Sequence, residues 1–166
     1  MQSWGGSRGV EIEIIEFTGE YLEDLRRLTR EWVDKYFYLE PEDEVFLANP
    51  AAKVIAPGGH IFLAKYGQEI IGTVSLLKSG EHLSELAKLA VTAKYQGLKV
   101  GRKLLEHCLQ VAAREGVRTI RLDTNRKLEA AVALYRKYGF REVPLGENKY
   151  IEVDLKMELV MAAPGA

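Results

Sequence analysis

The chain of 166 residues has one cysteine, Cys108, so it can form neither an internal disulfide nor a cysteine-based metal cluster. Its three histidines, His60, His82 and His107, are too few for a histidine-rich metal site, and no metal is expected. No apolar run approaches the roughly 20 residues that a helix needs to cross a bilayer, so no membrane partner is expected. Met1 to Val10 carries Gly5, Gly6 and Gly9 but no apolar signal-peptide core. Residues 1–9 therefore read as a flexible leader, and a cytoplasmic location is expected. The two best-known nucleotide loops, G-x-G-x-x-G and G-x-x-x-x-G-K-[ST], are missing. No segment interleaves aromatics with Lys and Arg as a stacking groove requires, which argues against nucleic acid as a partner. Without internal repeats, low-complexity tracts or linkers, the chain reads as a single domain over residues 10–158 with a frayed tail at 159–166.

The formal net charge of −1 hides a division. Residues 11–48 hold twelve acids and four bases, whereas residues 94–137 hold eleven bases and four acids. The basic part suits a polyanionic ligand and the acidic part a cationic one, although most such charges simply solvate helix faces.

The periodicity alternates between strands and helices. Glu11–Phe17 alternates polar and apolar residues and predicts a first strand. Leu22, Leu25, Leu28, Trp32 and Val33 recur at helical spacing and predict a helix from Glu20 to about Tyr36. Pro41 suits the first turn of a second short helix that runs to about Ala48. Turns at Pro57-Gly58-Gly59, Tyr66-Gly67-Gln68 and Ser79-Gly80 divide the next segment into three antiparallel strands, 60–65, 69–78 and 81–91. A helix to about Glu115, a parallel strand over 118–123, a helix ending at Gly139 and a last strand pair over 140–143 and 149–158 complete the pattern.

The chemistry is centred on the passage from strand to helix at 90–105. Gln96-Gly97-Leu98-Lys99-Val100-Gly101-Arg102 is a glycine-bearing turn leading straight into an amphipathic helix. The first backbone N–H groups of a helix have no intrahelical partner, and with the helix dipole they favour an anion there. Lys99, Arg102 and Lys103 add positive charge at the same place. In period-two phase Leu83, Glu85, Ala87, Leu89 and Val91 share one face of the preceding strand. Glu85 is thus an acid among apolar neighbours, and it should face a wet cleft, meet a cation or shift its pKa. Cys108 lies on an apolar helix stripe and reads as a small buried hydrophobe, and His107 as a histidine on the helix surface.

Two motifs carry a resemblance. Gln96 to Gly101 is similar to the R/Q-x-x-G-x-G/A loop of the GNAT superfamily of N-acetyltransferases, with Lys99 at the inner glycine position. Ala131-Val132-Ala133-Leu134-Tyr135-Arg136-Lys137-Tyr138-Gly139-Phe140 resembles that family's A-x-x-L-Y-x-x-x-G-F helix end, and the likeness in element order extends over roughly residues 10 to 158. The resemblance implies a mixed, mostly antiparallel α/β fold. Its sheet would have about seven strands splayed between the fourth and fifth, flanked by about four helices. It further implies acetyl-CoA, or another acyl-CoA, held by Leu89, Ala90, Val91, by Gln96 to Arg102 including Leu98, and by Asn125.

By the same resemblance Tyr135 protonates the departing thiolate, with a core aromatic whose hydroxyl is satisfied as the alternative, and Glu85 is either the general base or an ion-pair partner at the sheet edge. Tyr36, Tyr38 and Glu44 are candidate acceptor contacts, with packing or surface roles as the alternative. The expected activity is acyl transfer to a primary amine, favouring a small molecule because Leu122-Asp123-Thr124-Asn125 differs from the V-R-x-x-N segment of the protein-N-terminal branch. A protein or peptide amine and a non-catalytic acyl-CoA sensor are the alternatives, and a homodimer is possible.

Overall fold

One seven-stranded sheet divides the hydrophobic core into two layers, and the sequence alternation dictates which residues enter each. The computed structural model describes residues 11–36, 39–97, 99–146 and 152–161. In chain order the elements are β1 (Ile12–Glu16), α1 (Leu22–Tyr36), α2 (Pro41–Ala48), β2 (His60–Tyr66), β3 (Glu69–Lys78), β4 (Leu83–Val91), α3 (Val100–Arg114), β5 (Thr119–Thr124), α4 (Glu129–Lys137), β6 (Arg141–Val143) and β7 (Leu155–Val160). The sheet order is β1-β2-β3-β4-β5-β7-β6, antiparallel throughout except for the parallel β4–β5 pair. Short helical turns at Gly19–Tyr21, Ala51–Ile55 and Ala93–Tyr95 complete the fold. Among the described residues no helix is long and apolar enough to cross a membrane.

The larger core layer is formed under α3 and α4. Leu104, Leu105, Cys108 and Ala112 of α3 are wholly buried there with Phe62, Ile71, Leu86 and Leu122 of the sheet. Each such Leu, Ile or Phe contributes about 1.5–3 kcal/mol relative to exposure. The second layer lies under α1 and α2, where Leu25, Leu28, Phe46 and Leu47 meet Ile61, Leu63 and Ile70. Two arginines tie α1 to its surroundings: Arg26 Nε donates to the Leu47 carbonyl of α2 at 3.0 Å, and Arg27 donates to the Ile70 carbonyl of β3 at 3.0 Å. Burial on both faces explains why β3 is buried from Ile70 to Leu76 and carries apolar residues in both phases, with the small Gly72, Thr73 and Ser75 between them.

Several expected boundaries shift. The last strand is Leu155–Val160, where the sequence predicts 149–158; residues 149–151 of that range lie outside the described residues, and at the other end Leu159 and Val160 pair with Ile120 and Thr119 of β5. Two residues of the expected tail thus belong to the sheet. His107 is half-buried, with its ring edge-on to Phe62 at 4.6 Å between centroids, and burial lowers its pKa from the ordinary histidine value. Cys108 is buried as expected, and loss of solvent pushes its thiol well above the usual range, which disfavours the nucleophilic thiolate.

The seating of α3 on the sheet depends on Gly72 of β3. A Cβ there would lie 3.1 Å from Leu104 Cδ1, 3.1 Å from Val100 Cγ1 and 3.2 Å from the Ala90 carbonyl oxygen. Gly72→Val forces α3 outward and is expected to cost about 1–3 kcal/mol in urea denaturation. A cost below about 0.5 kcal/mol would show that α3 is not seated on this contact.

Candidate functional site

The site begins with a break in a strand pair. β4 and β5 pair only at Leu83–Thr119, Ser84–Ile120 and Glu85–Arg121. Beyond Glu85 the two strands part. The cause lies in β4, where Lys88 adopts the left-handed conformation at φ 57° and the register to β3 slips, Ser75 facing Ala87 but Thr73 facing Ala90. This is a β-bulge, which bends the strand that carries it. It also overturns the simple period-two reading of the strand. Before the bulge, Glu85 and Ala87 share the α1/α2 face with their β3 partners Leu77 and Ser75. After it, Leu89 and Val91 pack against the α3/α4 layer.

The bulge is clamped from α2. Lys88 Nζ meets Asp43 Oδ1 at 2.7 Å with both side chains largely buried, and lies 5.1 Å from the centre of the Phe46 ring. Asp43 Oδ2 also accepts the Glu40 backbone N–H at 2.9 Å, capping α2. One carboxylate therefore fixes both the helix start and the bulge.

The parting of the strands opens a cleft of about 710 Å³ that runs between the two faces of the sheet. From the α1/α2 side it is lined by Trp32, Val33, Glu40, Asp43, Glu85 and Lys88. From the α3/α4 side Leu134 and Tyr135 border it, and Gln96, Gly97, Lys99, Val100, Gly101 and Arg102 close one end. Tyr135 is buried, with its ring 5.7 Å from that of Phe140, and desolvation raises its pKa, so the proton stays on Oη at neutral pH.

The start of α3 combines helix N–H groups with cationic side chains, a combination that suits a negative partner. Among the described residues no side chain caps the start of α3, so its first N–H groups stand without a side-chain partner there, beside the cleft. Arg102 Nε is buried without a hydrogen-bond partner among the described residues; Glu106 Oε2 lies 3.6 Å away. Gly97 takes φ 91°, and Lys99, at the position where the resembled family has its inner glycine, takes φ 61° as the N-cap. The loop is anchored at its root by Glu31 of α1, which accepts from Thr92 Oγ1 at 2.9 Å and from the Ala93 N–H at 3.0 Å. Gln96 Nε2 donates to the Val91 carbonyl at 3.1 Å.

The expected site residues divide. Glu85, Tyr135, Leu89, Val91, Gln96, Gly97, Lys99, Val100, Gly101 and Arg102 line the cleft, and Ala90 lies between two that do. Asn125 is absent from the lining: its Nδ2 donates to the Glu152 carbonyl at 2.7 Å and its Oδ1 accepts from the Lys127 N–H at 2.9 Å, so the amide is spent on holding a loop. Glu44 is exposed on α2 and turned away, and its neighbour Asp43 faces the cleft instead. Tyr36 ends α1, while Tyr38 and Leu98 lie outside the described residues. Sequence reasoning missed Trp32, Asp43 and Lys88. Asp43 was findable, since it lies three and four residues before the buried pair Phe46 and Leu47, hence on the same helix face.

Residues 20–140 match the model of the acetyltransferase (GNAT) family. The chain is 36% identical over 80 residues to the ribosomal protein bS18 alanine N-acetyltransferase of Escherichia coli, covering 48% of this chain and 54% of that enzyme. It thus spans about half the length of that curated relative. It is 31% identical over 121 residues to the N-alpha-acetyltransferase RimI of Mycobacterium tuberculosis, covering 67% of this chain and 75% of the other. Among solved structures, a GNAT-family acetyltransferase from Staphylococcus aureus superposes with a TM-score of 0.82 at 26% identity, over 90% of this chain and 99% of that one. An N-acetyltransferase from Thermoplasma acidophilum in complex with coenzyme A gives 0.71 at 22% identity, over 91% and 99%.

A left-handed conformation costs a residue with a Cβ about 1–2 kcal/mol, whereas glycine adopts it freely at some cost in unfolded-state entropy. Lys99→Gly is therefore expected to stabilise the protein by about 0.5–1 kcal/mol in urea denaturation. A loss of stability would contradict the strain assigned to this N-cap.

Proposed function

Because the chain belongs to the acetyltransferase (GNAT) family, we propose that it transfers an acetyl group from acetyl-CoA to a primary amine by direct attack. The observation that carries this reading is that Glu85, on the α1/α2 face of β4, and Tyr135, on α4 at the other face of the sheet, line one cleft with the start of α3. A binding module needs the anion loop alone, whereas an enzyme needs a proton acceptor and a proton donor along the same cleft.

The residues fit the donor. Open N–H groups at the start of α3, with Lys99 and Arg102 beside them, suit a pyrophosphate. The stretch of β4 beyond Glu85, unpaired with β5, offers backbone groups to an extended arm. Acetyl-CoA supplies a thioester and a thiol leaving group of reference pKa about 8.5.

The chain's own residues perform the proton steps. A primary amine is mostly protonated at neutral pH, with reference values of about 8 for an α-amino group and about 10.4 for lysine. Glu85 takes that proton, directly or through water, leaving the nitrogen lone pair free to attack. Backbone N–H groups near Val91 stabilise the charge that develops on the carbonyl oxygen. Tyr135 Oη, kept protonated by burial, donates to the sulfur as it departs. The acids Glu40, Asp43 and Glu85 on the α1/α2 side suit a cationic acceptor. We read that acceptor as a small molecule. A protein α-amine is the second reading, favoured by the identity to a ribosomal protein bS18 alanine N-acetyltransferase and to an N-alpha-acetyltransferase.

The test is CoA release with acetyl-CoA over a panel of polyamines, amino acids, aminoglycosides and peptides with free α- or lysine amines. Turnover on one class names the acceptor, and Tyr135→Phe and Glu85→Gln are each expected to lower kcat by about 10²-fold without abolishing it. Binding of acetyl-CoA with no turnover on any amine would replace the enzyme reading with that of a sensor.

A further inference from the structure

A second, small cavity lies behind Glu85. It has a volume of about 30 Å³ and is bordered by Ser75 and Leu77 of β3, Glu85 and Lys88 of β4, Phe46 of α2 and Val54 of the following turn, with Glu42 and Lys53 at its rim. A water needs about 10–15 Å³ of such space and two to four polar partners. The volume suits one molecule. Ser75 supplies the second observation: it is 1% exposed, and its Oγ makes no hydrogen bond to any described residue. A buried hydroxyl left unpaired costs about 1–3 kcal/mol, so such groups are normally satisfied.

The register says what else the cavity joins. Ser75 faces Ala87 and Leu77 faces Glu85 across the β3–β4 ladder. Ser75 and Glu85 are therefore diagonal neighbours on one face, with Cα atoms about 7–8 Å apart. One bridging water spans the remaining gap between a hydroxyl and a carboxylate at that separation. At the far side, Lys53 Nζ and Glu42 Oε2 stand 3.7 Å apart, each about one-third exposed, so the cavity ends near bulk solvent.

We propose that this cavity binds one structural water, which accepts a hydrogen bond from Ser75 Oγ and donates one to the Glu85 carboxylate, and that it carries the proton of Glu85 toward the rim at Glu42 and Lys53. The inference rests on Glu85 as the base. In each turnover the amine's proton passes to Glu85. The carboxylic acid then gives a proton to the water, which releases one toward solvent, and the carboxylate is restored with no net change in atoms or electrons. The route leaves by the α2 side, away from the end of the cleft that α3 closes. Ser75 acts through the water and is a positioning residue.

The experiment pairs a crystal structure resolving ordered waters with kinetics on Ser75 variants. Wild type is expected to show density for one water within hydrogen-bond distance of both Ser75 Oγ and Glu85. Ser75→Val, which puts a methyl where the hydroxyl stands and so removes the donor to the water, is expected to lower kcat about tenfold with the KM for acetyl-CoA and for the amine unchanged. Ser75→Thr keeps the hydroxyl and is expected to retain most of the activity. Should the valine variant fail to fold, Ser75→Ala is expected to lower kcat about threefold with both KM values unchanged. A dry cavity in wild type, or a folded valine variant with wild-type kcat, overturns the proposal. The density needs no turnover, so it decides the water site separately from the role of Glu85, which fails if Glu85→Gln turns over at the wild-type rate.

Discussion

The left-handed Lys88 in the fourth strand is the constraint on which the site depends. A regular strand would continue to pair with β5 and close the sheet. The bulge prevents this, and the two strands share three residue pairs before they separate. Left-handed backbone at a lysine is unfavourable by itself. It is held in place by the ion pair to Asp43 and the ring of Phe46, both from α2. Because Asp43 also caps α2, the wall of the cleft and the bend that opens it are one mechanical unit. Removing either member of this largely buried pair would leave a charge without its partner, which typically costs several kcal/mol.

The cleft that results is polar in opposite senses at its two ends. Open helix N–H groups and cations meet at the start of α3, and acids gather on the side of α1 and α2. Glu31 joins the two ends, since it belongs to α1 yet holds the root of the α3 loop through Thr92 and Ala93. In the proposed reaction an anionic donor and a cationic acceptor approach from different faces of the sheet and meet where the strands part. Glu85 and Tyr135 then work from opposite sides of that meeting point.

Much of the fold was legible because local patterns and tertiary packing agree. The stripe in α1, the proline start of α2 and the turns of the meander appear at or within a few residues of their expected places. The glycine turn into α3 and the helix face that carries Tyr135 were legible for the same reason, since helix starts and apolar helix faces are written locally. The bulge was not. A single residue at positive φ leaves no periodic trace, and a lysine is an uninformative type for it, so the strand read as a plain alternation and Leu89 and Val91 were placed on the wrong face. Asn125 has the right chemistry for a ligand contact, but its amide is used by a loop whose other half lies 27 residues away, at Glu152. Glu44 is the acid of α2 named from the sequence, whereas the acid that meets Lys88 and lines the cleft is Asp43, one helix position earlier.

Hydrogen exchange read by mass spectrometry, with and without acetyl-CoA, tests most directly the claim that the split between β4 and β5 is a binding surface. The account predicts that peptides covering Leu89–Val91 and Gly97–Arg102 exchange readily in the free protein and become protected together when acetyl-CoA is added. Protection of the α3 start without the β4 segment would contradict the role given to the bulge, and protection of neither would contradict the site.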